Sequence, residues 1–179
     1  MPTILDEIVS AKRNELADQK NTVSIRELEG MIRDQPNPLD FGLALKGDNI
    51  RLIAEVKKAS PSKGLLCEDF DPVSLASIYT GHGAAAVSVL TDPRFQGELG
   101  HIQQIKRLGA AGNSPVLRKD FIFDPYQIYE ARSVGSDALL LIVSILSVSA
   151  LKELIHLTEE LGMQCLVEIH DRSEMYIAV

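Results

Sequence analysis

Five short apolar runs dominate the sequence beyond residue 51: 52–56 (LIAEV), 86–90 (AVSVL), 115–117 (PVL) running into Arg118 and Lys119, 138–143 (ALLLIV) and 165–169 (CLVEI). Amphipathic stretches such as 72–81 and 149–161 lie between them, and strand ends taken at Glu55, Leu90, Lys119, Val143 and Glu168 fall about 24–35 residues apart. Near-continuous apolar strands alternating with helices predict a parallel sheet covered on both faces, one βα unit per interval, with right-handed crossovers. No G-x-G-x-x-G follows the first run. That argues against a dinucleotide-binding sheet and favours a (β/α)8 TIM barrel as the α/β fold. Such barrels usually need about 200 residues or more, whereas this sequence has 179 and breaks off inside the expected fifth helix. The expectation is about five of the eight βα units.

Residues 1–50 read as a helical extension ahead of this partial barrel at 51–179. Ile4, Leu5, Ile8, Val9, Lys12 and Leu16 follow helical spacing with charges on the other face. A second helix is predicted over 24–33, where Ser24 caps and Glu27 completes S-x-x-E, before Pro36 and Pro38 stop it.

Charge and composition exclude several function classes. Lysine and arginine number 18 against 25 aspartates and glutamates, a net charge of −7 with no basic run. Neither nucleic acid nor an anionic membrane is an expected partner. The longest uncharged run, 138–151, has 14 residues, short of the ~18 of a spanning helix, so it reads as a buried strand and its following loop. Cys67 and Cys165 are far apart and lack metal-ligand spacing, against a disulfide scaffold or a zinc site. With no signal-like apolar stretch at the N-terminus, a cytoplasmic location is expected.

Ligands of parallel α/β folds bind beyond the C-terminal strand ends, and three of the five runs end in ionisable residues. Glu55 and Lys57 share a face of the first, Lys119 followed by Asp120 closes the third, and Glu168 closes the fifth. Converging at one barrel mouth, two lysines and two glutamates form a coupled acid–base set; salt bridges capping the barrel are the alternative reading. The polar loop 60–64 (SPSKG) offers Ser60 and Lys63 to a phosphate, or is an ordinary turn. Phe95 and Phe121 stand where a flat aromatic substrate packs, or serve loop-to-barrel packing. His82, His101 and His156 read as surface residues and His170 as a rim residue, while Cys165 reads as core.

These residues also carry a resemblance. The segment 52–64 (LIAEVKKASPSKG) resembles the signature of the indole-3-glycerol-phosphate synthase family. The likeness continues through 88–97 (SVLTDPRFQG), 115–126 (PVLRKDFIFDPY), 138–146 (ALLLIVSIL) and 166–171 (LVEIHD), and the leader ILDEIVSAKRNEL is similar to the family's N-terminal helices. The resemblance implies a carbon–carbon lyase of tryptophan biosynthesis. It closes the indole ring of 1-(2-carboxyphenylamino)-1-deoxyribulose 5-phosphate with loss of carbon dioxide and water. It implies Lys119 as proton donor to the ribulose carbonyl, Lys57 as partner of the anthranilate carboxylate, and Glu168 with Glu55 for the proton lost on dehydration. It further implies Phe95, Phe121, Leu141 and Val143 around the aromatic ring, and Ser60 and Lys63 near the phosphate. No metal or organic cofactor is implied. The family continues with three more strands bearing an asparagine–arginine motif, a serine strand end and a glycine-rich phosphate loop. A complementing half-barrel or self-association is accordingly an expected partner, and an inactive or complementing fragment is the alternative function. A related phosphate-binding barrel isomerase is disfavoured by the E-V-K and R-K-D-F segments.

Overall fold

A computed structural model describes residues 4–60 and 64–178. Five parallel strands, β1 (Ile53–Val56), β2 (Ala86–Leu90), β3 (Val116–Lys119), β4 (Ala138–Ile142) and β5 (Gln164–Glu168), form one sheet in sequence order. Helices α1 (Ile4–Thr22), α2 (Ile25–Arg33) and α3 (Phe41–Ala44) precede the sheet. Helices α4 (Pro72–Gly81), α5 (Leu99–Arg107), α6 (Pro125–Ser133), α7 (Val148–Glu160) and α8 (Arg172–Ala178) follow its successive strands. Local sequence sets the helix starts. Ser24 and Glu27 form a reciprocal capping box on α2, and Asp71 and Asp124 cap α4 and α6, each just before a proline at the first helical position. Among the described residues no helix is long and apolar enough to cross a membrane.

The strand period of two divides the core. Val56, Val87, Val89 and Val116 face Ala76 of α4 and the pair Ile102 and Ile105 of α5. Leu139, Leu141 and Val143 face Ile128, Leu151 and Leu154 of α6 and α7. The opposite face carries Ala86, Leu117, Ala138, Leu140 and Ile142 with Phe41. Registers Glu55↔Ser88, Leu90↔Lys119 and Ile142↔Glu168 bring the C-terminal ends of the strands level on that inner face.

The leader packs against both ends of the sheet. At the N-terminal end, Phe41 is buried beside Ala86 and Ala138, and Gly42 N–H donates to Gln164 Oε1 at 2.8 Å. Asp137 ties this end together, accepting from Leu39 N–H at 2.8 Å, Val116 N–H at 2.7 Å and Lys106 Nζ at 2.8 Å. Along the side, Tyr126 Oη donates to the Val23 carbonyl at 2.8 Å and Arg132 to that of Pro36 at 2.6 Å. At the C-terminal end, α1 lies across the strand tips.

Two details differ from the sequence reading. Loop 57–71 holds a short antiparallel pairing of Ala59–Ser60 with Gly64–Leu65, too brief to leave a periodic signal. His101, expected at the surface, is buried, its ring 5.1 Å from that of Phe70 and its Nε2 3.3 Å from Glu98 Oε1. It is the third residue of α5, and that turn faces the packed loop before α4 rather than water.

Candidate active site

The C-terminal strand tips and the first turns of α1 enclose a cavity of about 430 Å³. Its wall combines Glu55 and Lys57 after β1, Leu90 of β2, Lys119 and Phe121 at the end of β3, Leu140 and Ile142 of β4, and Glu168 and His170 at the end of β5. Ser60 and Phe95 join from loops, and Ile4, Leu5 and Ile8 of α1 form an apolar cover.

Glu55 is the hub of the first charge group. Its Oε1 stands 2.5 Å from Lys57 Nζ and its Oε2 3.8 Å from Lys119 Nζ. These side chains are about one-third exposed, at 29%, 31% and 38%, so they reach both the cavity and water. On the far strand, Glu168 Oε1 lies 3.2 Å from His170 Nε2. One carboxylate between two ammonium groups leaves net positive charge at one side of an apolar cavity. A carboxylate with an imidazole stands at the other. Such an arrangement can hold an anion, donate a proton and accept one.

The rings of Phe95 and Phe121 lie nearly parallel, 21° between planes and 6.5 Å between centroids, and the Arg94 guanidinium sits 5.8 Å from the Phe121 centroid. The loop bearing Phe95 folds back tightly on β2. A Cβ at Gly97 would stand 2.3 Å from the Leu90 carbonyl oxygen, so only glycine fits there.

A second charge group lies just behind the first. Lys12 Nζ is buried, 3.1 Å from Asp92 Oδ2 and 2.6 Å from Asp120 Oδ1. Arg94 closes on Asp92 and donates to the Ile8 carbonyl at 2.7 Å. Asp120 Oδ2 accepts from Thr91 Oγ1 at 2.8 Å and from Arg118 at 2.9 Å, and Arg118 reaches Glu130 Oε2 at 3.3 Å. Burial pushes the Asp120 pKa up, but the Arg118 and Lys12 charges outweigh it and hold it at about 2. Asp120 Oδ1 also accepts from the Phe121 N–H at 2.9 Å, so this network fixes the backbone between Lys119 and Phe121.

Of the residues singled out in the sequence, the cavity gathers Glu55, Lys57, Ser60, Phe95, Lys119, Phe121 and Glu168. Lys63 lies outside the described residues. Leu141 and Val143 are a correction: both are buried in the outer core against α6 and α7, and the cavity is lined by Leu140 and Ile142 instead. The run ALLLIV is apolar on both faces, so nothing in its pattern sets the phase. His170 was legible as the second residue after Glu168, which puts both on one face of an extended segment. Lys12 was visible as a lysine on the apolar stripe of α1. Cys165 packs in the outer core, where burial pushes its thiol up to about 11. Among the described residues no group of three or more histidines, cysteines or carboxylates is placed to hold a metal ion.

The family model described as Indole-3-glycerol phosphate synthase matches residues 5–179. The indole-3-glycerol phosphate synthase of Dehalococcoides mccartyi (strain CBDB1) is 50% identical over 178 residues, covering 98% of this chain and 69% of its own. That of Roseiflexus castenholzii is 51% identical over 180 residues, 98% of this chain and 67% of its own. That of Chlorobium phaeovibrioides is 46% identical, with 98% and 68% covered. Among solved structures, an archaeal fructose-1,6-bisphosphate aldolase overlaps 86% of this chain and 67% of its own with a TM-score of 0.44 and 18% identity, a likeness too slight to argue from. With the family model matched along nearly the whole chain and relatives half identical to it, the chain belongs to the indole-3-glycerol phosphate synthase family.

Proposed function

We infer that the protein closes the indole ring of 1-(2-carboxyphenylamino)-1-deoxyribulose 5-phosphate as a decarboxylating carbon–carbon lyase. The parallel sheet is read as part of a (β/α)8 barrel acting in the cytoplasm. The observation that carries the reading is the pairing of Lys57 and Lys119 on Glu55 at one side of an apolar cavity, with Glu168 on the far strand.

The chemistry asks for that separation. As the ring carbon attacks the ribulose carbonyl, the oxygen needs a proton, and Lys119 is the donor. Lys57 pairs with the carboxylate on the attacking ring carbon; that carboxylate then leaves as carbon dioxide while the electron pair of the broken bond restores aromaticity. In the last step the hydroxyl departs as water after taking a second proton, and Glu168 removes one from the methylene carbon beside nitrogen. Glu55 keeps the two ammonium groups oriented and relays protons between them. Phe95 and Phe121, with Leu140 and Ile142 in place of Leu141 and Val143, pack the aromatic ring. Ser60 and Lys63 are assigned to the phosphate side. No metal or organic cofactor is assigned, since each step moves only protons and electron pairs between substrate and side chains.

Incubating the purified protein with this substrate tests the reading. The expected result is indole fluorescence rising in step with released carbon dioxide. Binding without either product would overturn it.

A further inference from the structure

We propose that His170 is the positioning residue of Glu168 and carries its proton to solvent. The proposal rests on the reading of Glu168 as the base of the dehydration step. The two side chains meet at the C-terminal end of β5, with His170 Nε2 3.2 Å from Glu168 Oε1. His170 borders the main cavity and also a second, open pocket of about 320 Å³ lined by Ile169, Asp171, Arg172 and Met175. The imidazole thus stands between the reacting groups and that pocket. Its placement is built by α8. Glu174 Oε2 accepts from the His170 backbone N–H at 2.6 Å and lies 3.7 Å from Nδ1, while Asp171 Oδ1 holds Glu174 through its N–H at 2.9 Å.

The proton count leaves Glu168 holding a proton that it must pass on before the next turnover. Two protons are given, to the carbonyl oxygen and to the departing hydroxyl, and one is taken from the methylene carbon. With the carboxylate lost as carbon dioxide, each turnover draws one net proton from water, and Glu168 must shed the one it took. The C–H bond breaks to Glu168 as its electron pair forms the ring double bond and water leaves. Glu168 then passes the proton to Nε2, and Nδ1 releases the second imidazolium proton to water. Histidine is suited to this by its two ring nitrogens, one of which can take a proton as the other gives one up.

The test is turnover of His170→Ala and His170→Gln in the intact protein, with and without added imidazole. Both variants are expected to lose about tenfold in kcat, less than the hundredfold or more of a direct acid or base, with KM held and imidazole restoring the alanine variant. Wild-type turnover in His170→Ala would overturn the proposal. So would a loss that imidazole fails to restore but glutamine, which keeps a hydrogen-bond donor and carries no proton, makes good. Glu168→Gln run alongside separates the two readings. If it keeps full turnover, the role of Glu168 falls and this proposal with it; if it alone is impaired, only the proposal falls.

Discussion

Two charge groups stand back to back at the end of β3, and neighbouring residues belong to different ones. Lys119 faces the cavity, where Glu55 is its partner at 3.8 Å. Asp120 contributes to the cavity wall, yet its oxygens are committed to Lys12, Arg118 and Thr91. The inner group is partly exposed and sets two lysines on one carboxylate, so positive charge remains available to a ligand. The outer group is matched and, apart from Arg94, buried: three cations (Lys12, Arg94, Arg118) stand against three carboxylates (Asp92, Asp120, Glu130). Removing a charge from water is costly unless it is paired and hydrogen-bonded. The outer group meets that demand and fixes shape. The inner group leaves part of it unmet, which suits a site that binds and moves protons.

Lys12 is the residue whose loss should cost the outer group most. Lys12→Met leaves Asp92 and Asp120 buried one cation short, and the expected loss is about 3–5 kcal/mol of unfolding free energy, read from urea denaturation. A loss below about 1 kcal/mol would class this pair with ordinary surface bridges. Acid is the second probe. With Asp120 held at about 2 against an ordinary 3.8, its ionisation contributes about 2–3 kcal/mol above that ordinary value, lost as the pH falls through about 2. Asp92 is lowered too, by Arg94 and Lys12 acting against burial, while burial raises Glu130 and gives it the opposite sense. The steepest loss should therefore come at the acid end, and Asp120→Asn should flatten it in pH-dependent melting. Lys57 sharpens the other side. Lys57→Met should weaken binding of the carboxylated substrate about tenfold, the scale of one charge-assisted hydrogen bond. An analogue lacking the carboxylate should bind both proteins alike, and an equal loss for that analogue would refute the pairing.

Much of this architecture is written in the order of the residues. The five apolar runs match β1 to β5 within a residue or two, and Asp71-Pro72, Asp124-Pro125 and Ser24 mark helix starts that capping chemistry dictates. The ionisable strand ends were visible because a charge interrupting an apolar run demands a reason. What the pattern left dark has physical causes. β4 is apolar on both faces, so its phase was undetermined until Ala138↔Gln164 and Ile142↔Glu168 fixed the register. Helix α3 is four residues long, too short for a helical period to show. Lys12 follows the apolar stripe of α1, but its partners lie 80 and 108 residues further along the chain and only the fold unites them.

Ring closure is assigned its proton from Lys119 and not from the buried neighbour Asp120. Single-turnover ring closure by Lys119→Ala, compared with the unaltered protein by indole fluorescence, tests it most directly. The expected rate is lower by at least about 100-fold, with the melting temperature unchanged. Near-normal turnover in a folded Lys119→Ala protein would contradict it.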